Sequence, residues 1–150
     1  MFYLMLYWTG VRISEALNIT AHNIDYTEGV VVIESLKKRR RGQFRKIPIP
    51  DRFLAELKEY ITINAIEDKL WTWARRTASR YVKTVMKKAG ISGSKASSKG
   101  LRHSFAVACV VQNVPLTLVQ KWMGHASLST TSIYLDIVGV EERYFAKRLW

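Results

Sequence analysis

The sequence predicts a mainly α domain of the α+β class, with a helical core and one small antiparallel sheet near its N-terminal part. Three observations carry that reading. Apolar residues recur at helical spacing through most of the chain, as in Phe53, Leu54, Leu57 and Ile61. A β-branched run occurs early, at Val30 to Ile33, with a second short extended stretch at Arg45 to Ile49. Glycine and proline then punctuate a series of helix-length segments at Gly90, Pro115 and Gly124.

Taken in order, residues 1 to 8 read as a buried helix stopped at Thr9-Gly10, and residues 12 to 17 as a second, short one. Residues 23 to 29 are rich in turn formers and read as a loop. The basic run from Lys37 to Gln43 forms the tip of a hairpin between the two strands. Asp51 is placed to cap a helix running to about Ile61. Residues 62 to 72 give no clear pattern. A helix from about Trp73 to Ala89 shows Arg75, Arg76, Arg80, Lys83, Lys87 and Lys88 on its outer face. Another spans about Lys99 to Asn113, and Pro115 suits the first turn of the next, which ends at Gly124. Ser129 is placed to cap a short helix bearing Thr130, Thr131 and Tyr134, and residues 140 to 150 read as an amphipathic helix.

The 150 residues fit one domain, and no internal boundary or repeat is visible. Hydrophobic residues at 48% and charged residues at 24% describe a folded chain, not a disordered one. The 24 Lys and Arg against 12 Asp and Glu give a net charge of +12, which favours a polyanion or an anionic membrane surface as partner. No apolar stretch approaches the ~18 residues of a membrane span. Cys109 is the one cysteine, which excludes an internal disulfide, and its apolar neighbours make it a core residue. A reducing cytoplasm is the expected setting.

The residue types narrow the chemistry. Arginine makes bidentate, permanently charged contacts to phosphate oxygens. Tyrosine is a nucleophile once its proton is removed or its anion stabilised. Arg12, Arg102, the glycine-flanked His125 and Tyr134 therefore point to phosphodiester chemistry. The acidic residues are scattered, with no H-x-x-x-H or C-x-x-C, so no metal site and no metal cofactor are expected. No P-loop glycine run is present either, which argues against nucleotide hydrolysis.

Three blocks then become specific. Thr9-Gly10-Val11-Arg12-Ile13-Ser14-Glu15 resembles the first arginine motif of the tyrosine recombinases, the phage-integrase family. Gly100-Leu101-Arg102-His103 resembles the second motif. The stretch from Trp122 to Leu135 resembles the third block, with Gly124-His125 nine residues before Tyr134. The blocks stand in the family's order and spacing over residues 9 to 135.

The resemblance implies a tyrosine-recombinase catalytic fold and a site-specific recombinase or integrase. Such an enzyme cleaves and rejoins duplex DNA by transesterification through a 3′-phosphotyrosyl intermediate, without metal or ATP. It implies that Arg12 and Arg102 clamp the scissile phosphate, that His125 donates a hydrogen bond to it, and that Tyr134 attacks. The family's hairpin lysine, which protonates the leaving 5′-oxygen, matches Lys37 best and Lys38 next. Glu15 matches the acidic residue that orients the first arginine. Lys99 stands where the family usually has a histidine three residues before the second arginine, as a poised acid/base or an electrostatic contact. His103 is out of phase to replace that histidine and is expected to pack beside Arg102.

Lys38, Arg39, Arg40, Arg41, Arg45, Arg76 and Arg80 are the candidate DNA-backbone contacts. Residues 1 to 150 read as the catalytic domain, N-terminally truncated and without the family's N-terminal core-binding domain. The resemblance also implies self-association into a tetramer on DNA through the C-terminal helix. Three rival readings remain: a non-catalytic DNA-binding integrase remnant, a type IB topoisomerase and a basic RNA-binding domain.

Overall fold

Helix α1 (Phe2–Thr9) is apolar on every side, and it buries Phe2, Met5, Leu6 and Thr9. Its other face stays outside, with Tyr7 and Trp8 exposed. In the computed structural model, residues 1–36 and 42–135 are described. The hairpin-tip residues Lys37, Lys38, Arg39, Arg40 and Arg41, and the expected helix over 140–150, lie outside the described residues.

Gly10 ends α1 in the left-handed conformation, its N–H donating to the Leu6 carbonyl. The four-residue α2 (Ile13–Ala16) follows at once, with Arg12 as its N-cap. A 3₁₀ turn at Ala21–Asn23 leads into β1 (Ile24–Asp25), where turn composition had suggested only loop. This two-residue strand pairs with β2 (Val30–Glu34), which pairs in turn with β3 (Phe44–Pro48). All neighbours are antiparallel, with Val31 opposite Ile47 and Ile33 opposite Arg45. The pleat sends Arg45 and Ile47 inward and Phe44, Lys46 and Pro48 outward.

Helix α3 (Asp51–Ile63) buries Phe53 and Leu57. Its N-cap is Pro50, so Asp51 is the first helical residue and not the cap; there its charge faces the positive end of the helix dipole. Between α3 and the next helix, Leu70 and Trp71 are buried, and Trp71 meets Phe2 edge-on at 5.0 Å. Helix α4 (Arg75–Lys88) buries Ala78, Val82 and Met86, one residue per turn, and exposes its basic side.

Helix α5 (Ser98–Val111) is capped by Ser97, whose hydroxyl accepts the Gly100 N–H at 3.2 Å. It packs on α1 and α6 (Leu116–Met123). Pro115 is the N-cap of α6 and Gly124 its left-handed C-cap. The short α7 (Ser129–Ser132) has Leu128, not Ser129, at its N-cap. The main core gathers side chains from α1 to α5 and the sheet. A second cluster joins Ala106, Cys109 and Val110 of α5 to Val119 and Met123 of α6 and to Tyr134. No helix among the described residues is long and apolar enough to cross a membrane.

Candidate active site

The turn between α1 and α2 sets the first arginine. A Cβ on Gly10 would lie 2.3 Å from the Phe105 ring, so glycine lets α5 approach the chain here. Arg12 follows in extended backbone, with its side chain about one-third exposed. Its N–H donates to Glu15 Oε2 at 2.9 Å, and its Nη1 donates to Glu15 Oε1 at 3.1 Å. Glu15 thus holds both the backbone and the side chain of Arg12.

Glu15 is itself almost wholly buried, and a second guanidinium shares it. Arg45 Nη2 donates to Glu15 Oε2 at 2.8 Å and Nη1 to Oε1 at 3.4 Å. Burial pushes the Glu15 carboxyl up, but the hydrogen bond and charge of Arg45, then those of Arg12, outweigh it and hold the group below its ordinary range. Arg45 also donates from Nε to the Trp122 carbonyl at 2.7 Å and from Nη1 to Ser35 Oγ at 3.2 Å.

These contacts correct the expectation that Arg45 is a DNA-backbone contact. It is 6% exposed, and its guanidinium is engaged inside the domain. Its position on the inward face of β3, two residues from Ile47, is the sequence signal that identifies it.

Arg102 projects from the second turn of α5 into the same region. Its Nη1 donates to the Gly10 carbonyl at 2.7 Å and its Nη2 to the Met123 carbonyl at 2.6 Å. Burial, and then the charge of Arg12, lower its pKa to about 10, with Glu15 and Tyr134 acting in the opposite sense. It stays cationic at neutral pH. Among the described residues, two of its five N–H donors are used. Arg12, Arg45 and Arg102 bring three positive charges against the one of Glu15. An anion entering here relieves like-charge repulsion.

Gly124 turns the chain from α6 into His125, with φ of 63°. A Cβ there would come 3.0 Å from the Arg45 guanidinium. The His125 N–H donates to the Gln120 carbonyl at 3.1 Å, and its Nδ1 lies 2.9 Å from Thr131 Oγ1. Tyr134 follows one turn after Thr131 and is 7% exposed, packed in the second cluster. The His103 ring lies over it, with centroids 5.3 Å apart, so His103 packs on the tyrosine instead of only flanking Arg102.

Arg12, Arg102, His125 and Tyr134 are therefore brought together from four separate segments. Lys99 is not joined to them by any hydrogen bond among the described residues. It is exposed at the start of α5 and lines a cleft of about 740 Å³ with Arg75, Arg76, Arg80 and Lys83. Arg76 and Arg80 are exposed there. Thr131, fully buried against His125, carried no signal that singled it out. Among the described residues no group of His, Cys, Asp or Glu is arranged to hold a metal ion.

Two guanidiniums beside an imidazole that is tied to the tyrosine's segment give a cationic neighbourhood suited to an anion. The chain belongs to the phage integrase family, which its residues 1–138 match. Tyrosine recombinase XerA of Pyrococcus furiosus is 35% identical over 144 residues, covering 89% of this chain and 48% of that protein. The crystal structure of XerA recombinase superposes with a TM-score of 0.79 at 26% identity, covering 96% of this chain and 56% of that one. The XerH site-specific recombinase, solved bound to its difH substrate in a pre-cleavage complex, gives 0.76 at 25% identity and covers 89% and 41%. The chain spans about half the length of the curated relatives it matches.

Proposed function

We propose that residues 1–150 form the catalytic domain of a site-specific DNA recombinase or integrase that cleaves and rejoins duplex DNA through Tyr134. The carrying observation is the cluster itself: Arg102 binds the carbonyl two residues before Arg12 and the carbonyl two residues before His125, and the His125 ring meets the hydroxyl of Thr131, whose carbonyl takes the Tyr134 N–H. The family and its XerA and XerH relatives support the same reading.

In this reading the Tyr134 phenol loses its proton to solvent as its oxygen attacks the scissile phosphorus. A phosphotyrosyl bond forms as the bond to the 5′-oxygen breaks, and that oxygen takes up a proton. Lys37 is the preferred donor. Arg12 and Arg102 offset the added negative charge of the pentacoordinate transition state, and His125 donates to a phosphate oxygen. Attack by a 5′-hydroxyl reverses the step and releases Tyr134. One ester replaces another, so no external energy source is required. Lys99 and the exposed arginines of α4 hold flanking phosphates.

The test is covalent trapping on nicked suicide DNA, stopped with SDS. The expected result is a protein–DNA adduct that disappears in Tyr134→Phe while DNA affinity at fixed salt is unchanged. Binding without an adduct in the unsubstituted protein would favour the alternative, a non-catalytic DNA-binding remnant.

A further inference from the structure

We infer that Thr131 is a positioning residue for this site, holding His125 as the Nε2–H tautomer and tying it to the segment that carries Tyr134. The inference deepens the strand-transfer reading and rests on it for its functional meaning.

Three contacts meet at Thr131. Its side chain is fully buried. Its Oγ1 lies 2.9 Å from His125 Nδ1. Its backbone carbonyl accepts the Tyr134 N–H at 3.1 Å. One residue therefore touches the imidazole with its side chain and the tyrosine with its backbone.

The direction of the first bond follows from what a buried hydroxyl needs. Its hydrogen requires an acceptor, or the desolvation cost goes uncompensated. Helical Ser and Thr commonly satisfy it on a carbonyl of the preceding turn. Ser132 does so here, donating to the Ser129 carbonyl at 3.0 Å. Thr131 turns to the ring instead, and among the described residues Nδ1 is its hydrogen-bond partner.

An imidazole that accepts at Nδ1 carries its hydrogen on Nε2, because the bond made by one ring nitrogen decides the state of the other. Nε2–H is the group required for donation to a phosphate oxygen. The contact also fixes the ring plane. Since α7 carries both Thr131 and the approach to Tyr134, moving the nucleophile's segment removes the partner of Nδ1. The presence of the nucleophile and the readiness of the phosphate donor are linked through one hydroxyl.

The experiment uses the full chain with ¹⁵N-labelled histidine. Only His22, His103 and His125 contribute, so assignment is direct. In buffer above the ordinary imidazole range of about 6.5, His125 is expected as the Nε2–H tautomer. Thr131→Val should give mixed tautomers and slow adduct formation on the order of tenfold, the scale of losing a partner that orients a functional histidine. DNA affinity should not change, and Thr131→Ser should restore both the ring signals and the rate.

An Nδ1–H tautomer in the unsubstituted protein overturns the inference, and so do ring signals that Thr131→Val leaves unaltered. The first measurement needs no variant, so a misfolded Thr131→Val cannot hide the answer. If the unsubstituted protein forms no adduct, the strand-transfer reading falls. The ring measurement still decides the Thr131 contact.

Discussion

Glu15 has almost no contact with water, and its negative charge is held between Arg12 and Arg45. Removing one partner of such a pair is costly, because the other is left charged and buried. Arg45→Met is expected to lower stability by about 3–5 kcal/mol in urea denaturation. A loss below about 1 kcal/mol would show that the pair behaves like an exposed surface bridge. The pH dependence has a definite sign. The Glu15 carboxyl is depressed on folding, so its contribution is complete above the ordinary glutamate value of about 4.3 and is lost as pH falls through the lower folded value. A Tm series in acid should therefore decline more steeply for the unsubstituted protein than for Glu15→Gln.

At the level of elements, the most constrained junction is that of α1 with α5. Gly10 takes a φ of 59° and faces the Phe105 ring. Gly10→Ala combines left-handed strain with overpacking, and a loss on the order of 2 kcal/mol or more is expected. Thermal unfolding checks it, and an unshifted Tm would mean that Phe105 can move aside. The helices were legible because their patterns repeat. Phe53 with Leu57, and Ala78 with Val82 and Met86, announce buried stripes unaided. Strand β1 was not legible, since two residues beside Asn23 and Thr27 carry no alternation. Caps shifted by one residue, at Pro50 and Leu128, because Asp51 and Ser129 also suit a first turn. Arg45 misled for a different reason. It follows a run of cations in sequence, while the pleat of β3 turns it inward.

Over the whole molecule, the charge of +12 is unevenly used. Arg45 is consumed inside the fold, while Arg75, Arg76, Arg80, Lys83 and Lys99 line one open cleft. If that cleft holds DNA phosphates, Arg76→Ala and Arg80→Ala should each weaken binding across sequences. Each should also reduce the slope of log affinity against log salt by about one. Titrations at several salt concentrations decide the point, and unchanged slopes would move the interface elsewhere. Arg12, Arg102, His125 and Tyr134 were singled out by the resemblance of three contiguous blocks to a family's motifs. Thr131 was not, since its importance lies in where a hydroxyl points.

The last turn of α6 is gripped by two arginines at once: Arg45 takes the Trp122 carbonyl and Arg102 the next one along, Met123. One of these arginines comes from a strand and the other from a helix, and both hold the negative pole of α6. Were that turn to lift by little more than the reach of a hydrogen bond, both grips would fail in the same movement. The carbonyl end of one helix is thus a shared fastening for the strand that carries Arg45 and the helix that carries Arg102.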